Sequence, residues 1–267
     1  MNELRRFSHS LVETWMSCPK KAMYRYVENV PEVKGSALIR GSACDAAWNY
    51  DLETKITTGE DSPLTALLEI TEAAFRDDVS DQGGVDCVDW GDGTARKSLD
   101  SALSLTKAWR TYLAPDIKPT AVQVRYVRSL PSGRQFIGYV DWEGKAEGTV
   151  AVGDNKTGGR RLYQPDANKG LQPYAYAWLK QEPIDFVFAR AIDTGKRTDQ
   201  EFVWTHRSEG DITWYEQQVL DLERAWEAGI FPANPTGPFC GPTKCPFFER
   251  CQPHRTTHLT GTKEEGK

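Results

Sequence analysis

The chain has 267 residues, with 33 Lys+Arg against 38 Asp+Glu, a net charge of −5, and 39% hydrophobic and 27% charged residues. This suits one large or two small domains with a real core and excludes a disordered chain. No apolar run approaches the roughly 20 residues of a membrane span, and Met1–Arg6 lacks the apolar region of a secretion signal, so a cytoplasmic setting is expected. The acidic total argues at first against a polyanionic partner. Its distribution does not: residues 1–40 carry +3, 41–120 carry −8, 121–180 carry +4 and 181–267 carry −4. Local field, not the total, decides what a polyanion meets.

In chain order, Ser8 to Glu28 reads as one helix with Ser8 or Ser10 as N-cap and Leu11, Trp15 and Tyr26 among its apolar positions, and Pro31 beyond it. Helices are expected over Gly41–Glu53, Leu64–Val79 and Ala95–Leu113, the last two separated by the glycine-rich stretch Gly83–Gly93. Pro115 and Pro119 mark a change to a period of two, with strands at Ala121–Tyr126, Gln135–Trp142 and Thr149–Asn155. A helix over Tyr163–Lys180, strands at Asp185–Ile192 and Glu201–His206, and a helix over Ile212–Ala228 complete an α/β (α+β) pattern: a mixed central sheet flanked by helices. Four regions are expected: 1–40 with 229–255, a helical insert at 41–120, a sheet core at 121–228, and a frayed tail at 256–267.

The six cysteines are Cys18, Cys44, Cys87, Cys240, Cys245 and Cys251. Cys240-x4-Cys245-x5-Cys251 sits among Gly241, Pro242 and Pro246, which favour a loop wrapped around a cofactor. Three thiolates leave a tetrahedral or cubane site one ligand short, and Cys18, in Ser17-Cys18-Pro19, is the natural fourth. The spacing suits an iron–sulfur cluster better than zinc, which usually takes two close pairs; unligated thiols are the third alternative. Cys44 and Cys87 read as ordinary thiols.

The densest chemistry lies in the strands. Gly138-Tyr139-Val140-Asp141 closes one, and Asp154-Asn155-Lys156 ends the next. Antiparallel neighbours bring Asp141 and Asp154 together at one end of a sheet, where oxygen ligands suit Mg²⁺ or Mn²⁺. Lys156, two residues on, points to the face of Asp154 and sets an ammonium beside any metal-bound water. DxK alone is usually a solvated surface pair; the order GxxD, strand, DxK, Thr-Gly says more. On the following helix, Gln172 and Tyr176 share a face one turn apart.

These motifs together resemble the PD-(D/E)xK nucleases, specifically the RecB-type, CRISPR-associated and phage exonucleases with an iron–sulfur staple. The matching run is Phe7-Ser8-His9-Ser10 through Cys18-Pro19, Gly41 to Asp45, Gly138 to Asp141, Asp154 to Lys156, Gln172 to Tyr176, then Cys240, Cys245 and Cys251. One element departs: Asp45 stands where the family usually has a metal-binding His, and an aspartate there is a hard ligand favouring Mg²⁺. His9, His206, His254 and His258 are not placed to replace it, and His9 suits a cap or DNA contact.

The resemblance implies a restriction-endonuclease-like fold in which Asp45, Asp141, Asp154 and the Asn155 carbonyl hold one or two Mg²⁺ or Mn²⁺ ions. It implies that Lys156 positions the attacking water, Gln172 and Tyr176 line the site, and Cys18, Cys240, Cys245 and Cys251 hold a 4Fe-4S cluster. The implied reaction is phosphodiester hydrolysis at DNA ends, single-stranded ones above all, in recombination, replication or repair, in a bacterial or phage-infected cell. End-processing within a CRISPR adaptation complex and a degenerate, non-cleaving DNA-end binder are the alternatives. Lys20, Lys21, Arg25, Arg125, Arg128, Arg134, Arg160 and Arg161 are candidates to line a backbone groove, with Tyr24, Tyr26 and Tyr163 to stack on bases. No GxxxxGK[ST] occurs, so unwinding falls to a partner such as a helicase, with a recombinase or CRISPR adaptation protein as further partners.

Overall fold

A computed structural model describes residues 6–251; His254, His258 and the expected tail at 256–267 lie outside them. The chain divides into two compact units, one of residues up to Glu32, Arg128–Phe136 and Glu216 onward, the other of Val33–Val127 and Ile137–Tyr215.

In the first unit, the short strand β1 (Arg6–Phe7) pairs in parallel with Gln135 and Phe136. Helix α1 (His9–Ser17) starts at Ser8, whose hydroxyl accepts from the Leu11 N–H. The expected single helix to Glu28 is broken. Cys18 is extended (φ −162°, ψ 106°), then α2 (Pro19–Ala22) restarts and runs into a π-helical turn, Met23–Val27. The cause is Pro19, which disfavours a helical residue before it and takes the first position of the new helix. Phe7 packs on Trp226 with ring centroids 5.5 Å apart, and Tyr24 on Phe247 at 5.4 Å. Buried Glu223 accepts from the Ser132 N–H at 3.1 Å.

In the second unit, α3 (Ser36–Thr58) begins five residues before the expected start, and α4 (Leu64–Asp81) and α5 (Ala95–Ala108) follow. They enclose an aromatic centre in which Trp48 stacks on Trp109 at 4.8 Å, both fully buried. The strands are β2 (Ile117–Ser129) and β3 (Gln135–Ala146), whose ends at 128–129 and 135–136 belong to the first unit, and β4 (Thr149–Gly158), β5 (Ile184–Asp193) and β6 (Thr198–Arg207). β4 is central to them, antiparallel to β3 and parallel to β5, and β6 closes antiparallel on β5. The parallel step needs a crossover, supplied by α6 (Gln164–Lys169) and α7 (Leu171–Lys180). Here the expected single helix is interrupted at Gly170 (φ −57°, ψ 131°). Helix α8 (Glu209–Glu227) starts in this unit and ends in the first, as does the short α9 (Phe248–Cys251) lie there. The architecture is the mixed sheet flanked by helices that the sequence predicts. Among the described residues, no helix is long and apolar enough to cross a membrane.

Candidate active site

The last β3–β4 pairs are Trp142↔Gly153 and Glu143↔Val152. One step further the same register sets Asp141 across from Asp154, and the Asp141 carboxylate accepts from the Asn155 N–H at 2.8 Å. Two glycines make the approach possible. At Gly153 a Cβ would lie 1.9 Å from Trp142 Cε2, so the fully buried indole packs flat on the β4 backbone. That indole donates to Asn155 Oδ1 at 3.0 Å and pins the residue between Asp154 and Lys156. At Gly138 a Cβ would stand 2.5 Å from Leu179 Cδ1 and 3.3 Å from Tyr176 Cε1, so α7 lies directly on β3.

α7 then reaches the acid. Gln172 donates to Asp154 Oδ1 at 2.5 Å and to the Tyr176 hydroxyl at 3.0 Å, while Tyr176 donates to the Tyr139 carbonyl at 2.5 Å. Lys156 bonds Asp154 Oδ1 at 2.9 Å and lies 2.8 Å from Oδ2, without hydrogen-bond alignment to the latter. The Asp154 side chain is 1% exposed, whereas that of Lys156 is 44% exposed. From α3, Asp45 enters the same space with one oxygen on Asn49 Nδ2 at 3.0 Å. Asp45, Asp141, Asn155 and Lys156 line one cleft of about 390 Å³, with Trp48 and Thr157 beside them. Asp45 therefore faces this cleft.

Burial raises the Asp141 carboxyl well above the ordinary carboxylate range, and Asp154 and Asp45 add to the effect against Lys156. Burial also raises Asp45. On Lys156, burial works against the ammonium, but Asp154 and Asp141 outweigh it and hold the pKa above its usual value. Burial and then Asp154 raise the Tyr176 phenol, which stays a donor. Three carboxylates therefore share a poorly solvated space with a single ammonium, an arrangement that a divalent cation relieves. Asp154 Oδ2 is buried with no hydrogen-bond partner, and Asp141 and Asp45 each leave an oxygen uncommitted among the described residues. The donor set is all oxygen, the chemistry a hard cation takes, although among the described residues no three of these carboxylates converge closely enough to hold one ion as they stand.

Within the first unit, Cys18, Cys240, Cys245 and Cys251 line a single pocket walled by Tyr24, Phe247 and Phe248. Cys18 Sγ accepts from the Asn234 N–H at 3.4 Å. The extended backbone at Cys18 that breaks the first helix is what turns this thiol toward the others. Burial, then the neighbouring thiols of Cys18, Cys245 and Cys240, raise Cys251. Among the described residues no three His, Cys, Asp or Glu side chains converge tightly enough for one metal ion. Cys44 is buried and Cys87 exposed, and neither lines this pocket.

The candidate groove residues fare differently. Arg25 is held by Glu32, Arg128 by Glu216, Arg134 by Glu227 and Arg161 by Asp199, so four of the eight are engaged in ion pairs. Lys20 lies over the Tyr24 ring, and Lys21 lines the cysteine pocket. Sequence reasoning missed Asn49 and Trp142. Asn49 had a signal, four residues after Asp45 on one helical face. It also missed Arg207, a buried guanidinium that donates to the Asn168 carbonyl at 2.9 Å and lies 3.9 Å from the Tyr174 ring, fixing the α6–α7 break just before Gln172. Nothing local announces that clamp.

A family model described as the PD-(D/E)XK nuclease superfamily matches residues 6–252. The chain is also similar to the crystal structure of a "Putative exonuclease" from Eubacterium rectale, with a TM-score of 0.56 and 16% identity over 98% of this chain and 91% of that one. At that identity the likeness shows the fold alone. A second solved structure, of the protein SSO0001, has a TM-score of 0.26 and 15% identity over 82% of this chain and 90% of that one, and carries no argument. No curated protein matches significantly. With a family match over nearly its whole length, Asp141 and Lys156 of the GxxD and DxK motifs lining one cleft, and Gln172 of QxxxY bonded to Asp154, the chain belongs to the PD-(D/E)XK nuclease superfamily.

Proposed function

We propose that this nuclease is a Mg²⁺- or Mn²⁺-dependent exonuclease of DNA, acting on single-stranded ends, of the RecB-type branch with an iron–sulfur staple. The observation that carries the metal-dependent reading is the buried Asp154 carboxylate, paired with Lys156 beside the cleft that Asp141 and Asp45 line. Asp45, Asp141, Asp154 and the Asn155 carbonyl would hold the cation. When bound, it supplies positive charge that neutralises the developing phosphorane and acidifies a ligated water.

The chain's own residues do the rest. Lys156 is anchored on Asp154 with its ammonium half-exposed at the cleft, where it orients the attacking water and donates to a phosphoryl oxygen. Gln172 fixes the orientation of the Asp154 carboxylate through Oδ1. Tyr176 ties that glutamine to the β3 backbone and sets the distance between helix and strand. Exonuclease character is supported by the motif order and by what the structural neighbour of similar length is called. The 4Fe-4S assignment is supported by four soft donors around one apolar-walled pocket. A cluster is wider than an ion, so its thiols stand further apart than those of a single-metal site.

Labelled single strands, blocked at one end or the other, digested with Mn²⁺ test the activity and its polarity together. Stepwise shortening lost in Asp154→Ala and Lys156→Ala is expected; intact strands, or unchanged digestion in both variants, overturn the proposal. Brown visible absorption lost in Cys245→Ala is expected for the cluster, and a colourless protein with stoichiometric zinc overturns that part.

A further inference from the structure

We infer that a second cleft, on the opposite side of the first turns of α3, seats a phosphate of the bound nucleic-acid strand further along from the one that is cut. The inference rests on the nuclease reading above. The cleft has a volume of about 640 Å³ and is lined by Ser36 and Arg40 of α3, by Thr94, Lys97 and Ser98 at the start of α5, and by Asp193 at the end of β5, with Asp100 at its rim.

Three independent features give it anion chemistry. First, Arg40 Nε is buried with no hydrogen-bond partner, and neither Arg40 nor Lys97 makes an ion pair among the described residues. Second, Ser98 is 7% exposed, and its hydroxyl is buried without a partner while lining the cleft. Third, α5 opens here: Thr94 caps the Lys97 N–H at 3.2 Å, leaving the other first-turn N–H groups at the positive end of a 14-residue helix. The two carboxylates are already engaged. Asp100 pairs with Arg96 at 3.3 Å, and Asp193 accepts from the Ser101 hydroxyl and from the Gly195 N–H at 2.8 Å. The carboxylates keep their charge but already hold donors of their own, so the donors left for an anion are those of Arg40, Lys97 and Ser98.

Position links it to the cutting site. Ser36 and Arg40 are one helical turn apart on the side of this cleft, and Gly41 and Asp45 one turn apart on the side of the other. From Arg40 to Asp45 the helix rises about 7.5 Å and turns about 140°, so the path from one cleft round α3 to the other is longer than a single phosphate step. The β4–β5 register pairs Lys156 with Arg190 and Gly158 with Ile192, which places Asp193 just past the strand end that carries Lys156. A strand that leaves the catalytic cleft and crosses over α3 comes to the side that carries Arg40.

Binding of a labelled single strand to the Lys156→Ala protein, titrated with salt, tests this with Arg40→Gln and, where that variant folds poorly, with the exposed Lys97→Gln. Each should weaken binding several-fold and make the log–log salt slope shallower by about 0.7, the value for one phosphate on a single strand. A methylphosphonate walked along the strand should weaken binding at one linkage in the parent and cost nothing further there in Arg40→Gln. Unchanged affinity and slope in both variants, or an equal loss in a Lys145→Gln charge control, overturn the inference while leaving cleavage by the wild type intact. Conversely, an Arg40-dependent slope in a wild type that cuts no strand overturns the nuclease reading and keeps the phosphate seat.

Discussion

Adding one methyl group to β4, by Gly153→Ala, should damage both fold and site. The new Cβ would lie 1.9 Å from Trp142 Cε2, 2.0 Å from Cζ2 and 2.5 Å from Cδ2, and the indole is 0% exposed with no room to retreat. Overpacking of this kind costs about 1–3 kcal/mol, and a clash with a rigid ring belongs at the upper end. If the indole turns away, its bond to Asn155 Oδ1 is lost, adding about 1–3 kcal/mol for a buried acceptor left unmade. A loss of about 3 kcal/mol lowers Tm by roughly 6–12 °C for a protein of this size. Thermal denaturation with and without Trp142→Leu decides the mechanism. Trimming the indole should recover part of the loss, so the double variant should be more stable than the two single losses predict. A Tm within about 1 °C of wild type, or strictly additive losses, would show that Trp142 does not constrain this backbone.

Replacing Gln172 by Leu removes one anchor of Asp154 and should lower kcat about 10²-fold at near-normal stability, read by steady-state digestion; an unchanged kcat refutes the positioning role. Mn²⁺ should raise the Tm of wild type, by about 2.7 kcal/mol of stability at a hundredfold excess over Kd, and not that of Asp154→Asn; equal shifts in both would place the cation elsewhere. Burial holds Asp51 above its ordinary value of 3.8 despite donors from Ser62 N–H and the Trp109 indole. Its folded pKa exceeds its unfolded one, so its contribution to stability is full below the unfolded value and is lost as pH rises through the folded one. The Tm of wild type minus that of Asp51→Asn should therefore fall as pH rises from about 4, and a flat difference counts against this. Gly138→Ala should push α7 off β3 through Leu179 and lower activity together with Tm; a fully active variant would free the glycine of that duty.

The sheet and the acidic residues were legible because local rules govern them. Alternation set the strand positions, and the period of two placed Lys156 on the face of Asp154, as the 2.9 Å bond reflects. One helical turn set Gln172 beside Tyr176, which bond at 3.0 Å. What was not legible comes from distant partners. The break between α6 and α7 at Gly170 is held by Arg207 from β6, 37 residues away, which donates to that carbonyl at 3.3 Å. The break at Cys18 had a local signal in Pro19 that helical periodicity masked. The arginines misled for a third reason: charge in a sequence does not reveal which carboxylate neutralises it, and Glu216 and Glu227 lie far along the chain from Arg128 and Arg134.

The way the two units divide the chain has a consequence for synthesis. The unit with the acidic cleft is complete once Tyr215 has been made, whereas the unit with the cysteine pocket needs Cys18, the segment Arg128–Phe136 and Cys251 together. On a ribosome adding about 5–20 residues per second, the first can gather its carboxylates seconds before the second can close. Cys18 emerges early, and its three pocket partners are made only in the last part of elongation. Closure of that pocket therefore comes last, and chains truncated between Tyr215 and Cys240 would carry the whole acidic cleft with only one of the four pocket cysteines.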